Sequence, residues 1–123
     1  MNFTESLKKN EDFLKVYRNG RSFANRSLVM YVLENGTGRN RLGISVSKKI
    51  GNSVVRHRVK RLVKESYRLH EDLFNSGLDM VIVARRSAAA AGYKEAEGAL
   101  LHLARLHGII SGKVESPDSQ GLN

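Results

Sequence analysis

The sequence predicts an α+β fold, a single sandwich of a sheet with helices in the order α-β-β-β-α-β-α. Three observations carry that reading. Leu42, Ile44 and Val46 alternate with Gly43, Ser45 and Ser47, the period of a strand with two unlike faces. From Val55 the apolar spacing changes to the helical period and holds as far as Leu69. Residues 79–84 then form an almost unbroken apolar run, as expected of an interior strand covered on both faces. At 123 residues the chain is sized for one domain. That domain is placed at 1–111, and the polar stretch 112–123 is expected to be a disordered tail.

Residues 10–20 read as a short helix. Asn10 can cap it, Glu11 and Asp12 fill its first turn, Arg18 stands in its last, and Gly20 stops it. Phe13 and Tyr17 are four apart and share a face. Either both rings anchor the helix to the core, or one or both line an open surface on which bases can stack. Residues 21–34 look extended, and they divide into two strands if the run breaks at Asn25-Arg26. The Gly-rich turn Asn35-Gly36-Thr37-Gly38, followed by the alternating residues 41–47, predicts a hairpin. The small, polar face of Gly43, Ser45 and Ser47 leaves room for a ligand.

Gly51-Asn52-Ser53 offers a turn and two candidate N-caps for the helix that follows. At about 100° per residue, Val55, Val59, Leu62, Ser66 and Leu69 fall within one sector with Val63 at its edge. His57, Lys60, Arg61, Lys64 and Arg68 fill the opposite side, flanked by Arg56 and Arg58. Residues 70–77 read as a short helix or loop, and 87–92 as a small-residue linker or helical turn. Residues 93–108 form a second long helix, with Ala96, Leu100, Leu103 and His107 on one side.

Charge is the feature that points to function. The stretch 48–68 holds eight of the chain's 21 Lys and Arg residues but one of its 12 acids, so most of the formal net charge of +9 sits there. Ordinary surface helices mix both signs. Cations packed at helical spacing without acids repel one another, and a polyanion is the natural compensation. A helix-turn-helix reader of DNA needs a partner helix directly before its recognition helix, whereas an alternating strand stands here, so RNA fits better than DNA. The chain has no cysteine, which removes disulfides and thiolate zinc sites and suits a reducing compartment. Residues 1–6 show no secretory pattern, and no apolar stretch approaches the ~20 residues of a membrane span. A cytoplasmic protein with no membrane partner is expected. His57, His70, His102 and His107 show no spacing suited to acid–base work, and no phosphate loop, HExxH or GxSxG motif occurs. No catalytic and no metal-ligating residue is expected.

Lys48-Lys49-Ile50-Gly51-Asn52, followed by Val55-Arg56-His57-Arg58-Val59-Lys60-Arg61-Leu62, closely resembles the signature of the bacterial ribonuclease P protein subunit. The likeness runs from Leu7-Lys8-Lys9-Asn10-Glu11-Asp12-Phe13 through Ala24-Asn25-Arg26 and Leu42-Gly43-Ile44-Ser45-Val46-Ser47 to Val81-Ile82-Val83-Ala84-Arg85. His57 stands where the family carries Asn, and an imidazole can still donate a hydrogen bond. The resemblance implies a single RNA-binding domain whose partners are a catalytic RNA and precursor tRNA. It implies Mg²⁺-dependent removal of 5′ leaders, with the active site in the RNA, Mg²⁺ required by the ribonucleoprotein, and no cofactor bound by the protein alone. It also implies that Lys48, Lys49, Asn52, Arg56, His57, Arg58, Lys60, Arg61, Lys64 and Arg68 face the catalytic RNA, and that Phe13, Tyr17 and Tyr31 hold the leader. For the fold it implies a left-handed strand–helix–strand crossover, similar to ribosomal protein S5 domain 2-like folds, against the general right-handed rule. The competing readings are a ribosomal or general RNA-binding protein and a nuclease that acts without RNA.

Overall fold

A computed structural model describes residues 1–110, and the expected tail at 112–123 lies outside the described residues. The strands are β1 (Thr4–Ser6), β2 (Arg21–Ala24), β3 (Leu28–Glu34), β4 (Asn40–Ser45) and β5 (Leu78–Ala84). The helices are α1 (Asn10–Asn19), α2 (Ser53–Leu69) and α3 (Tyr93–His107), with short 3₁₀ turns at Lys48–Ile50, Glu71–Leu73 and Arg86–Ala90. All five strands form one mixed sheet in the order β1-β4-β5-β3-β2. The predicted α+β sandwich therefore holds, and the extended run does break near Asn25. Strand β1, ahead of α1, is an addition to the expected order.

The expected hairpin between β3 and β4 does not form. β5 lies between them, antiparallel to β3 and parallel to β4. The turn residues themselves explain the difference. The Asn35 amide N–H donates to Gly77 O at 2.9 Å, and Asn35 Nδ2 donates to the Asp79 carboxylate at 2.9 Å. These bonds lead the turn across the start of β5 instead of back along β3. Gly77 is required there, because its φ is +81° and a Cβ would lie 2.7 Å from Thr37 O. The hairpin that does form joins β2 to β3.

β5 is central because its apolar run fills both sides of the sheet. Met80 and Ile82 join Leu28, Met30, Val32 and Leu42 beneath α2 and α3, in the larger core. On the other face, Val81 and Val83 meet Leu7, Val16, Tyr31 and Leu33 under α1. The parallel neighbours β4 and β5 are joined by a crossover through α2.

Two polar clusters, each built on a buried carboxylate, hold the layers in place. Arg41 and Asp79 are opposite one another in the β4–β5 register, and the guanidinium grips the carboxylate through Nε at 2.9 Å and Nη2 at 2.7 Å. Arg41 Nη1 also reaches Asp12 at 3.4 Å, tying α1 to the sheet. At the other end of α2, Glu71 accepts the Asn2 and Phe3 amide N–H groups at 2.9 and 2.8 Å and the Thr4 hydroxyl at 2.6 Å. Thr4 has a single hydroxyl proton, and Glu71 takes it. The 2.7 Å contact of Thr4 with Tyr67 is therefore a bond donated by the Tyr67 hydroxyl. This cluster explains β1, since the N-terminal strand is pinned to α2 at one end and paired with β4 along its length.

Both carboxyl groups have an acid consequence. Burial pushes Glu71 and Asp79 up. The hydrogen bonds from Thr4, Asn2 and Phe3, and those from Arg41 and Asn35, outweigh burial and hold both below the usual carboxylate range. A depressed folded-state pKa means that the unfolded chain binds more protons, so stability rises with pH through this window. The contribution is complete above the unfolded values near ~4 and is lost as pH falls through the lower folded ones. Urea midpoints measured at successive pH values should fall below about pH 4. The drop should be shallower for Glu71→Gln, and an identical pH profile in that variant would remove Glu71 from the linkage.

Candidate nucleic-acid interface

Helix α2 starts at an N-cap made by Asn52, whose Oδ1 accepts the Val55 amide N–H at 3.0 Å. This predicted contact residue is exposed and has its carbonyl oxygen engaged in the cap. Asn10, the expected cap of α1, lies inside that helix, and Lys9 is the cap without a side-chain bond. The buried arc of α2 comprises Val59, Val63, Ser66 and Tyr67. It is rotated from the expected sector toward Val63, with Tyr67 fully buried and Leu69 54% exposed. Tyr67 draws the arc round because its hydroxyl has Thr4 as a partner and its ring packs on Phe74, 4.8 Å between centroids.

The eight cations expected to face RNA separate into distinct environments. Arg68 is held by Glu65 through bonds of 3.0 and 2.6 Å. Both groups are exposed, so the pair contributes little to stability. Arg58 turns from the ridge toward the 3₁₀ turn after β5, donating to Ala91 O at 3.0 Å and to Ala89 O. Arg56 donates Nε to Gly51 O at 3.1 Å, bracing the first turn, and keeps its Nη groups for other partners. Among the described residues, Lys48, Lys49, Lys60, Arg61 and Lys64 make no ion pair or side-chain hydrogen bond, and all five are exposed.

The aromatic residues expected to hold the leader come together on the other side of α2. Phe13 and Tyr17 of α1 line a cleft of about 610 Å³ whose base is Ile44, Ser45 and Val46 and whose far wall is Arg56, His57 and Lys60. Gly43 makes this possible. A Cβ there would lie 2.6 and 2.7 Å from the Phe13 ring atoms Cζ and Cε2, so only glycine lets the ring rest on β4. The Phe13 and Tyr17 centroids are 6.5 Å apart, and Tyr31 meets Tyr17 edge-on at 4.9 Å. Tyr31 does not line the cleft and instead supports Tyr17 from β3. Phe13 and Tyr17 therefore combine a core contact with exposure to the cleft. No Asp or Glu lines the cleft.

A second cationic surface escaped the sequence reading. Arg26, Lys49, Arg85 and Arg86 converge with Ser47 and Ser87 around a depression of about 430 Å³ without an acidic residue. The signal was present in the Arg85-Arg86 doublet directly after β5, but Arg26 joins it only through the fold. Arg85 Nη1 donates to Asn25 O at 3.1 Å and Ser87 Oγ to Arg26 O at 2.7 Å, closing that corner.

Fold and site together define a class: small, basic α+β proteins that set an aromatic cleft beside a helix most of whose cations lack acidic partners. Comparison with known proteins makes the assignment specific. The family model for ribonuclease P matches residues 1–107, and the chain belongs to the ribonuclease P protein family. It is 61% identical over 108 residues to the ribonuclease P protein component of Lachnoclostridium phytofermentans, covering 88% of this chain and 93% of that protein. It is 52% identical over 111 residues to that of Alkaliphilus metalliredigens, covering 90% of this chain and all of the relative. Among solved structures, the Staphylococcus aureus RNase P protein superposes with a TM-score of 0.80 at 34% identity, over 86% of this chain and 97% of the other. The Thermotoga maritima RNase P protein gives 0.75 at 30% identity, over 82% and 96%.

Proposed function

We propose that this chain is the RNA-binding, non-catalytic subunit of a ribonucleoprotein that removes 5′ leaders from precursor tRNA. α2 docks the protein on the catalytic RNA, while the cleft holds the single-stranded leader. The observation that carries this reading is the cleft itself. Two rings from α1 and three basic or imidazole side chains from α2 face the same acid-free space. Bases can stack on rings whatever their identity, and phosphates can meet Arg56, His57 and Lys60, a combination suited to a strand whose sequence varies.

Lys48, Lys49, Lys60, Arg61 and Lys64 form the docking surface for the catalytic RNA, with Arg56 and His57 at its border with the cleft. Most of their contacts go to phosphate, which fixes position and affinity more than sequence. Arg26, Arg85 and Arg86 extend the same surface past the end of β5. The cleft does not suit a metal held by protein, because its lining has no carboxylate and the described residues contain no group of three or more ligating side chains. Mg²⁺ chemistry is accordingly assigned to the RNA part of the particle, and no step is routed through this chain. What the protein contributes is binding and orientation of the leader, along with neutralisation of phosphate charge.

Arg61 and Arg58 separate docking from scaffolding. Arg61→Ala should weaken binding to the catalytic RNA and reduce the log–log salt slope by about one unit. Arg58→Ala instead removes two donors from part-buried carbonyls and should lower stability by roughly 1 kcal/mol. Filter binding over a range of KCl concentrations, together with urea denaturation, checks both. An Arg61→Ala slope equal to that of the unmodified protein places that residue outside the interface.

A further inference from the structure

Two of the chain's asparagines precede glycine, in Asn19-Gly20 and Asn35-Gly36. An asparagine in that setting can lose its side-chain amide without an enzyme, because glycine has no Cβ to hinder the approach of its own backbone nitrogen. That nitrogen gives its proton to a base in solution and attacks the asparagine Cγ. The N–Cγ bond forms, the Cγ–Nδ2 bond breaks, and Nδ2 takes up a proton and leaves as ammonia. Water then opens the five-membered imide at either carbonyl, giving aspartate or isoaspartate. The reacting pair is the same at both places, so its surroundings set the two rates apart.

At Asn35 the whole side-chain amide is engaged. Nδ2 donates to Arg39 O at 3.0 Å and to Asp79 at 2.9 Å, while Oδ1 accepts the Thr37 amide N–H at 2.8 Å and the Thr37 hydroxyl at 2.7 Å. The attack passes through an anionic state, which Asp79 and the neighbouring Glu34 disfavour. Asn19 differs on each count. It is exposed at the end of α1 and lines a depression of about 580 Å³. Its Nδ2 donates to Lys15 O at 3.0 Å, and among the described residues its Oδ1 has no hydrogen-bond partner. The Gly20 N–H is held by Val16 O at 2.8 Å, the last bond of the helix, where local opening is easiest. Arg18 and Arg21 flank the pair, both exposed and, among the described residues, in no ion pair, and their charge favours the anionic state.

We propose that Asn19-Gly20 is the site at which the folded chain deamidates spontaneously, and that the fold locks Asn35-Gly36 against the same reaction. The product has a consequence for α1. A Cβ on Gly20 would lie 2.7 Å from Val16 O and 2.9 Å from Val32 O, so the chain turns from α1 into β2 with no spare room. Isoaspartate adds a methylene to the main chain at that corner, and α1 must shift against the sheet to take it in. Phe13 and Tyr17 are carried on α1, so modification at Asn19 reaches the cleft through the helix.

The test keeps the full chain folded in mildly alkaline buffer and follows both pairs by peptide mapping and mass spectrometry. Asn19 should convert about tenfold faster than Asn35, or more. In urea with added salt, where the fold is lost and flanking charges are screened, the two rates should converge to within about threefold. Thr37→Ala removes a bond to Asn35 Oδ1 from an exposed position, and it should speed conversion at Asn35 while leaving Asn19 unchanged. Equal rates in the folded chain, or a faster Asn35, would overturn the assignment. A gap that persists undiminished in urea would overturn it as well, since local sequence and not the fold would then set the rates. No conversion at Asn19 in the folded chain, with ready conversion in urea, would show that the helix end protects it and would also sink the proposal. An unchanged Asn35 rate in Thr37→Ala would remove the lock.

Discussion

Replacing Phe13 and Tyr17 together by alanine should abolish most of the discrimination between precursor and mature tRNA, by ~1–3 kcal/mol for each lost stack. Mature tRNA has no leader and should bind almost as before, so the loss appears as a convergence of two affinities instead of a general weakening. Both rings also pack on the smaller core, and the double variant loses some stability. Phe13→Leu resolves that ambiguity. Leucine keeps an apolar side chain over Gly43 and cannot stack, so it should reproduce much of the binding defect in a well-folded protein. Equilibrium titration of both tRNA forms, with circular dichroism of each variant, checks the expectation. Discrimination unchanged in the double variant would return both rings to a purely structural role.

The second large effect falls on stability. Arg41→Ala should destabilise the protein by about 3 kcal/mol, because it leaves the Asp79 carboxylate buried with Asn35 as its remaining side-chain partner. Asp79 is 2% exposed with Arg41 in place, and the Arg41 side chain that covers it is 33% exposed, so water admitted by the truncation offsets only part of the lost pairing. The loss corresponds to a fall in melting temperature of roughly 10 °C for a domain of this size. Arg41→Ala combined with Asp79→Asn should recover part of that loss, since a neutral amide costs less to bury than an unpaired carboxylate. Calorimetry of Arg41→Ala, Asp79→Asn and the double variant decides it, and an additive double variant would show that the two side chains act independently.

The order of the major elements was legible in the sequence because period and charge are local properties. Alternation in β4, the apolar run of β5 and the cationic content of α2 all follow from residues close in the chain. What the sequence left open depends on partners far apart. The β3–β4 hairpin fails because Asn35 bonds to Gly77 and Asp79, more than forty residues downstream. β1 has three residues and no pattern of its own, and it exists through β4 and the Glu71 cluster. The rotation of α2 depends on Thr4 reaching Tyr67, and the inward turn of Arg58 on two carbonyls after β5. Periodicity could not choose between core and surface for Phe13 and Tyr17. Gly43 resolves the question in three dimensions, since the ring it admits is packed on one side and open on the other.

The central claim is that the protein assists an RNA catalyst by holding both the RNA and the leader. It is tested most directly by multiple-turnover cleavage of precursor tRNA at low Mg²⁺, catalysed by the RNA subunit with and without this chain. The account predicts strong stimulation by the protein, reduced stimulation with the Phe13→Ala, Tyr17→Ala double variant, and no cleavage by the protein alone. Absence of stimulation, or cleavage by purified protein free of RNA, would contradict it.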